Sequence, residues 1–458
     1  MSKLTGLLKN YGLYVLLFVY GLFYHISSSE FWPITISKTW LTPENFEYSL
    51  LQKPIFTLLL SVFHFLPLTD IQHLYLVKIF FAAIGALSLW FFCEFVNELF
   101  SHKLSRTLSN TILILLLAFS PTLLNNFFRV RSDQLSFFVF ILFLIFNHRK
   151  NFLVSVALLI GLPLIHIKGV LYLPAGIIFI IYTYYSFLIG LKRSYKINLS
   201  LAVVACLVWL VSFNISSISY FLSTFEKSEF PNEYLRFFLN SEFVLLIATV
   251  VAALYFIIKK DKILLPYSLS ALLFLFFILV VPQSYPYFIA SFSPIIYIPL
   301  IYYFINNLQY KTKTITVLSL QIVLTLSCYY LFEILNYNSS NQQMSYIKEA
   351  SRIISSNKFN YLDGMGILPR QKFVKCFASP NDEAANSFCK ESVNSDKADV
   401  IILTHRLNSI GYSLFDNLNT SRTQIIPGFW IKNSNADQLK YKKFAETELL
   451  PAVLIFNF

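Results

Sequence analysis

The sequence predicts an all-α polytopic membrane bundle with a small α/β extracytoplasmic domain at its carboxyl end. Three observations predict it. The 458 residues are 56% hydrophobic and only 13% charged, which excludes an ordinary soluble globular chain. Apolar runs recur as far as Phe332, several of them approaching or exceeding the roughly 18 residues that suggest a membrane helix. Composition turns polar from Asn336, and helix and strand patterns of a small mixed domain follow.

Phe and Tyr, 48 and 28 of them, exceed what two interfacial belts need, so many rings must face lipid or neighbouring helices. The formal charge of +12 does not imply nucleic acid as a partner, because Lys and Arg stand in short clusters between apolar runs and form no single basic stripe.

The first apolar run, Tyr11 to Ile26, follows Lys3 and Lys9 as the core of a signal peptide would. Many further runs follow, and Ser27 to Ser29 lacks the Ala of a cleavage site, so an uncleaved first helix with a cytoplasmic amino terminus is expected. A polar, aromatic stretch from Ser27 to Lys53 comes next. Pro54 to Leu68 is then short for a full span and reads as a juxtamembrane or re-entrant helix. The later runs are Leu74 to Val96, Thr107 to Phe127, Leu135 to Phe146, Phe152 to Ile167, Val170 to Leu191, Ile197 to Ile215, Phe243 to Ile258, Ile263 to Val281, Phe288 to Ile305 and Thr314 to Phe332.

With Pro54 to Leu68 not crossing, one side carries Lys103 with Arg106, Arg149 with Lys150, the Lys192, Arg193 and Lys196 cluster, Lys259 with Lys260 and Lys262, and Lys311 with Lys313. Basic loops mark the cytoplasm. The opposite side holds Glu30, Glu44, Glu47, Asp133, Glu226, Glu229 and Glu233. The count is then about 11 spans over a transmembrane domain of residues 1–335, with an outward first loop at 27–72. Residues 336–458 form the extracytoplasmic domain, with a helix over Met344 to Ser355 and strands at Asn360 to Leu362, Val400 to Leu403 and Gln424 to Ile431. Cys93, Cys206 and Cys328 lie in or beside apolar runs and read as small hydrophobes. Cys376 and Cys389 lie in the polar segment, where an oxidising compartment would allow a disulfide.

Four outward places can carry chemistry. Glu30 follows the first run beside Phe31 and Trp32, either as a solvated acid or as a base raised by partial burial. Arg129, Arg131 and Asp133 crowd one turn, either as a capped, solvated turn or as an acid beside phosphate-binding guanidiniums. His166, Lys168 and Gly169 join two runs with almost no loop, and Lys168, like Lys78 near the outer end of its run, either snorkels or holds phosphate. Tyr285 and Tyr287 flank Pro286 in an aromatic turn, structural by default or lining a lipid or sugar site. P-loop, dinucleotide-binding, zinc-protease and nucleophile-elbow motifs do not occur.

The order of these features resembles the GT-C glycosyltransferases, in the branch of protein O-mannosyltransferases and the lipid A aminoarabinose transferase. The resemblance covers most of the membrane region. Gln52-Lys53-Pro54-Ile55-Phe56 stands where that family has a Lys-Pro-Pro juxtamembrane helix, and Lys78 where a span opens on a basic residue. Arg131-Ser132-Asp133, Lys168-Gly169, and Pro286-Tyr287-Phe288 followed by Pro294 match later motifs. Ser29 and Glu30 replace the usual Asp-Glu pair, and Ile55 replaces the second proline.

The resemblance implies an inverting transferase in the inner (plasma) membrane, using a polyprenyl-phosphate-linked sugar donor and a cell-envelope acceptor on the outward face. It casts Glu30 as base with Asp133 as second choice, and Arg129, Arg131, Lys168 and Lys78 as donor-phosphate ligands. Relatives sometimes hold a metal near these acids, so a divalent cation remains open. Alternative classes are an O-antigen ligase or polymerase, a transporter or flippase, and a non-catalytic glycolipid-binding protein.

Overall fold

A computed structural model describes residues 2–23, 26, 28–41, 53–101, 109–120, 123, 128–190, 233–280, 286–307, 341–376, 378, 383–394, 397–410, 418–436 and 452. The expected runs Ile197 to Ile215 and Thr314 to Phe332 lie outside them. The described residues are mostly helical with one small sheet, and the chain divides into two compact units. The first comprises residues 1–21, 51–56 and 81–330, and the second 22–50, 57–80 and 331–458. The first-loop segment therefore groups with the carboxyl-terminal segment.

In the first unit, helices follow the apolar runs, and where a described helix contains a proline, as at Pro163, it stands in the first or last turn. They include α1 (Ser2–Phe23), α5 (Ser109–Phe119), α6 (Ser132–His148), α7 (Phe152–Ile165), α8 (Leu173–Gly190), α9 (Glu233–Ile258) and α10 (Leu265–Val280). The expected single run from Phe288 to Ile305 is two helices, α11 (Pro286–Ile296) and α12 (Ile298–Asn307), separated at Tyr297. Pro294 inside α11 lacks the amide that a continuous helix would use there. The interior is aromatic. Phe274 stacks on Phe292 with centroids 4.4 Å apart, and Tyr172 packs on Phe140 and Phe292 at 4.7 and 4.9 Å.

Among the described residues, two helical stretches, Asp70–Phe100 and Lys168–Tyr185, are long and apolar enough to cross a membrane. The other apolar helices have 10–17 residues. The 17 residues of α6 extend about 26 Å, somewhat less than a hydrocarbon core of about 30 Å. A count of eleven spans is thus finer than these elements establish.

The second unit begins with an element the sequence conceals. Residues 28–36, expected as loop, form α2 (Ser28–Ile36), followed by a 3₁₀ turn over Ser37–Leu41. Next come α3 (Pro54–Val62), a 3₁₀ turn at Phe63–Phe65, and the opening of α4 (Asp70–Ser101). Leu58, Val62 and Phe65 leave a helical stripe exposed on this short segment, at 52%, 54% and 69%. Residues 341–357 then form a helix, α13, whose Gln343 side chain donates to the Ile26 carbonyl at 3.0 Å and accepts from the Ile26 amide at 3.1 Å.

The sheet has the order β1-β2-β4-β3, with β1 (Tyr361–Leu362) parallel to β2 (Val400–Ile402) and the other pairings antiparallel. The single strand expected over Gln424 to Ile431 is a hairpin, β3 (Arg422–Ile426) and β4 (Phe429–Lys432). Gly428 makes this turn at φ +78°, a region that L side chains avoid. Leu362, Ile401 and Leu407 pack under the sheet with Cys376 and Cys389, which form a disulfide with Cα atoms 5.1 Å apart.

Candidate functional site

The first unit gathers charge around the amino terminus of α6. Arg131 is its N-cap in extended conformation, and its amide donates to the Arg129 carbonyl at 2.9 Å in the turn just before. Asp133 falls in the first turn, where free amides and the helix dipole favour a carboxylate. Its side chain does not cap the helix, unlike the bland sequence reading. Asp133 Oδ1 instead lies 3.6 Å from His166 Nδ1, and both residues are buried.

His166 ends α7, and the chain turns at once into the 3₁₀ segment Ile167–Tyr172 that carries Lys168. The turn is tight because Gly169 lies against the preceding helix. A Cβ at that position would come within 2.3 Å of the Leu162 carbonyl oxygen, which explains the glycine after Lys168.

Lys53 joins the same cluster. Burial pushes its ammonium pKa down to about 8; Asp133 opposes the shift, while Arg131 and Lys168 reinforce it. Burial, followed by the charges of Lys53, Lys168 and Arg131, holds His166 well below its ordinary value, so the imidazole beside Asp133 is neutral at pH 7. One carboxylate and one neutral imidazole therefore sit among three cations. Such fixed positive charge can stabilise a phosphate oxyanion, and the carboxylate can orient or accept a proton. Lys53 and His166 had no role among the expected site residues, although Lys53 is the lysine of the Lys-Pro-Pro match and His166 stands in the junction with Lys168 and Gly169.

Glu30 and Lys78 belong to the second unit. Glu30 is buried in the first turn of α2, Lys78 is buried on α4, and the carboxylate is near enough for its charge to act on the ammonium. Tyr287 opens α11 with its side chain outside the described residues, and Tyr285 lies outside them altogether. Among the described residues, His, Cys, Asp and Glu form no group of three able to hold a metal.

Two further features escaped the sequence reading. Glu242 on α9 is buried in the first unit and accepts hydrogen bonds from Tyr297 Oη at 2.5 Å and Ser120 Oγ at 3.2 Å. In the second unit, Asp70 accepts from the Arg370 amide at 2.7 Å, from Gln371 Nε2 at 2.7 Å and from Ser351 Oγ at 2.6 Å. These bonds tie the opening of α4 to residues 351 and 370–371.

Beside that tie lies a cavity of about 540 Å³ lined by Lys38, His64, Arg370, Lys372, Phe373 and Lys375, among others. Lys38 Nζ donates to the Gln371 carbonyl at 2.8 Å and lies 4.6 Å from the centre of the Phe373 ring. His64 Nε2 is 2.9 Å from the Ile34 carbonyl oxygen, which can only accept, so this nitrogen carries the proton. Burial pushes His64 down to about 4, partly offset by this bond, and the ring is neutral at pH 7. No protein-family model matches the chain, and no curated protein or solved structure matches it.

Proposed function

We propose that the protein is a membrane glycosyltransferase that moves a sugar from a polyprenyl-phosphate-linked donor to a cell-envelope acceptor on the extracytoplasmic face. The observation that carries the proposal is the cluster of half-buried Lys53, Arg131 and Lys168 around buried Asp133. A phosphate leaving group needs its developing charge stabilised more than it needs protonation, and preorganised cations in a site of low dielectric supply that. The motif order shared with GT-C enzymes supports the same assignment, as does the apolar stripe on α3, which suits a helix lying in the interface.

Glu30 is the proposed base for the acceptor hydroxyl. Asp133, with neutral His166 beside it, positions the cations and is the second choice for base. Membranes bearing Glu30→Gln or Asp133→Asn should lose glycan transfer while protein abundance stays unchanged. Full transfer by both variants would overturn the mechanism. Comparing envelope glycans with and without the protein tests the activity itself and names the acceptor.

A transport function draws support from Glu242, because a buried carboxylate on an apolar helix is a common mark of an ion or substrate path. It predicts substrate uptake into vesicles without covalent transfer, and loss of uptake in Glu242→Gln.

A further inference from the structure

The cavity of the second unit is separate from the cluster around Asp133 in its residues, and its lining charge has one sign. Among the described residues that line it, Lys38, Arg370, Lys372 and Lys375 supply four cations and none is an acid. The nearby carboxylate of Asp70 already accepts three hydrogen bonds from groups around it. His64 adds a neutral imidazole and Phe373 an apolar ring. A pocket with walls of one charge concentrates anions.

Its construction is fixed by bonds from both ends of the chain. Arg370 Nη1 donates to the His64 carbonyl at 2.8 Å, and the Arg370 amide is held by Asp70. Lys38 is pinned by the Gln371 carbonyl. The volume lies in the range of small-molecule sites, larger than a bare phosphate requires.

We propose that this cavity is a second anion site, which binds a ligand of phosphosugar size through its phosphate group. The phosphate meets Arg370, Lys372 and Lys375, since guanidinium and ammonium groups give phosphate its strongest hydrogen bonds. The remaining volume, floored by Phe373 and His64, takes the organic part. The phosphate can be borne by a lipid headgroup or by a soluble compound. The exposed stripe of Leu58, Val62 and Phe65 lies on the same short segment that contributes His64, which favours the lipid-borne source.

The test uses the full chain in uncharged detergent, titrated separately with dioctanoyl phosphatidic acid, glucose 1-phosphate and glucose. Lys372 is exposed, so the charge reversals Lys372→Glu and Lys375→Glu are made singly and together, with thermal unfolding as the folding control. Binding measured with Lys53→Gln, Arg131→Gln and Lys168→Gln combined, a background that lacks all three cations of the first unit's cluster, removes that cluster's contribution. The two phosphates should bind and glucose should not. The double reversal should weaken both by about tenfold or more, as loss of charge-assisted contacts predicts. Tighter binding of phosphatidic acid assigns the lipid-borne source, and tighter binding of glucose 1-phosphate the soluble one. Absence of phosphate binding, or binding indifferent to the single Lys372→Glu reversal and to the double one, overturns the proposal. Because the readout is binding in that background, its failure would leave the transfer reaction standing.

Discussion

Lys53 shows how burial makes a single side chain sensitive to pH. Its ammonium titrates near pH 8 in the fold, with Asp133 favouring the charged form and Arg131 and Lys168 opposing it, while the neighbouring imidazole of His166 stays neutral. If the proton on Lys53 helps to hold donor phosphate, transfer has its full contribution below about pH 8 and loses it as pH rises through that value. Lys53→Arg keeps the charge at all these pH values and should extend the plateau upward, whereas Lys53→Met should lower the plateau by about a hundredfold, the scale of losing one transition-state donor. Transfer rates between pH 6 and 10 in all three proteins check this. An identical falling limb in Lys53→Arg would assign the titration to another group.

The elements differ in how openly the sequence announces them. Long apolar runs became helices close to their expected bounds, as in α6 to α8, because periodicity and length act locally. Breaks were harder to read. Pro294 and the turn at Tyr297 divide one run, and Pro427-Gly428 folds one expected strand into a hairpin, since in each case a single residue overrides the surrounding propensity. The helix α2 was hidden by its Ser residues and Pro33, which locally favour turns. Within the site, Lys53 and His166 stood inside singled-out stretches without a role of their own, and the basic cavity was not legible at all, because Lys38 and Gln371 meet across 333 positions.

The disulfide belongs to this same scale. It joins Cys376, in the stretch after β1, to Cys389 on α14 (Glu383–Asn394) across a separation of 13 residues. Closing a loop of this length stabilises by about 3 kcal/mol in the chain-entropy account. Replacing both cysteines by Ala should lower the unfolding midpoint of the carboxyl-terminal segment, and reductant should do the same to the unmodified chain. Thermal melts followed by near-ultraviolet circular dichroism measure both, and an unchanged midpoint would show the bond to be energetically idle.

For the whole molecule, the distribution of charge makes the topology testable. Lys103, Arg149, Lys192 and Lys259 should face the cytoplasm, and residues 336–458 the opposite side. Single cysteines placed at Lys150 and at Lys397 in a background lacking Cys93, Cys206 and Cys328 should differ in labelling by an impermeant maleimide on intact spheroplasts. Lys397 should react and Lys150 should not. The reverse order would invert the assignment of faces and with it the placement of Glu30, and equal reactivity would overturn the placement of the two sites on opposite sides.

The hydrogen bonds that close the second unit also set an order of assembly. Ile26 waits for Gln343, Thr35 for Gly366, and Lys38 for Gln371, partners separated by 317, 331 and 333 positions. At ordinary translation rates that interval is roughly 20 to 70 seconds. Throughout it the amino-terminal segment has left the ribosome while its binding surface does not yet exist, and every intervening apolar run is synthesised first. A nascent chain stalled before residue 343 would hold Glu30 and Lys38 without the contacts that shape them. Biogenesis therefore keeps the charge-lined cavity from forming until synthesis is nearly complete.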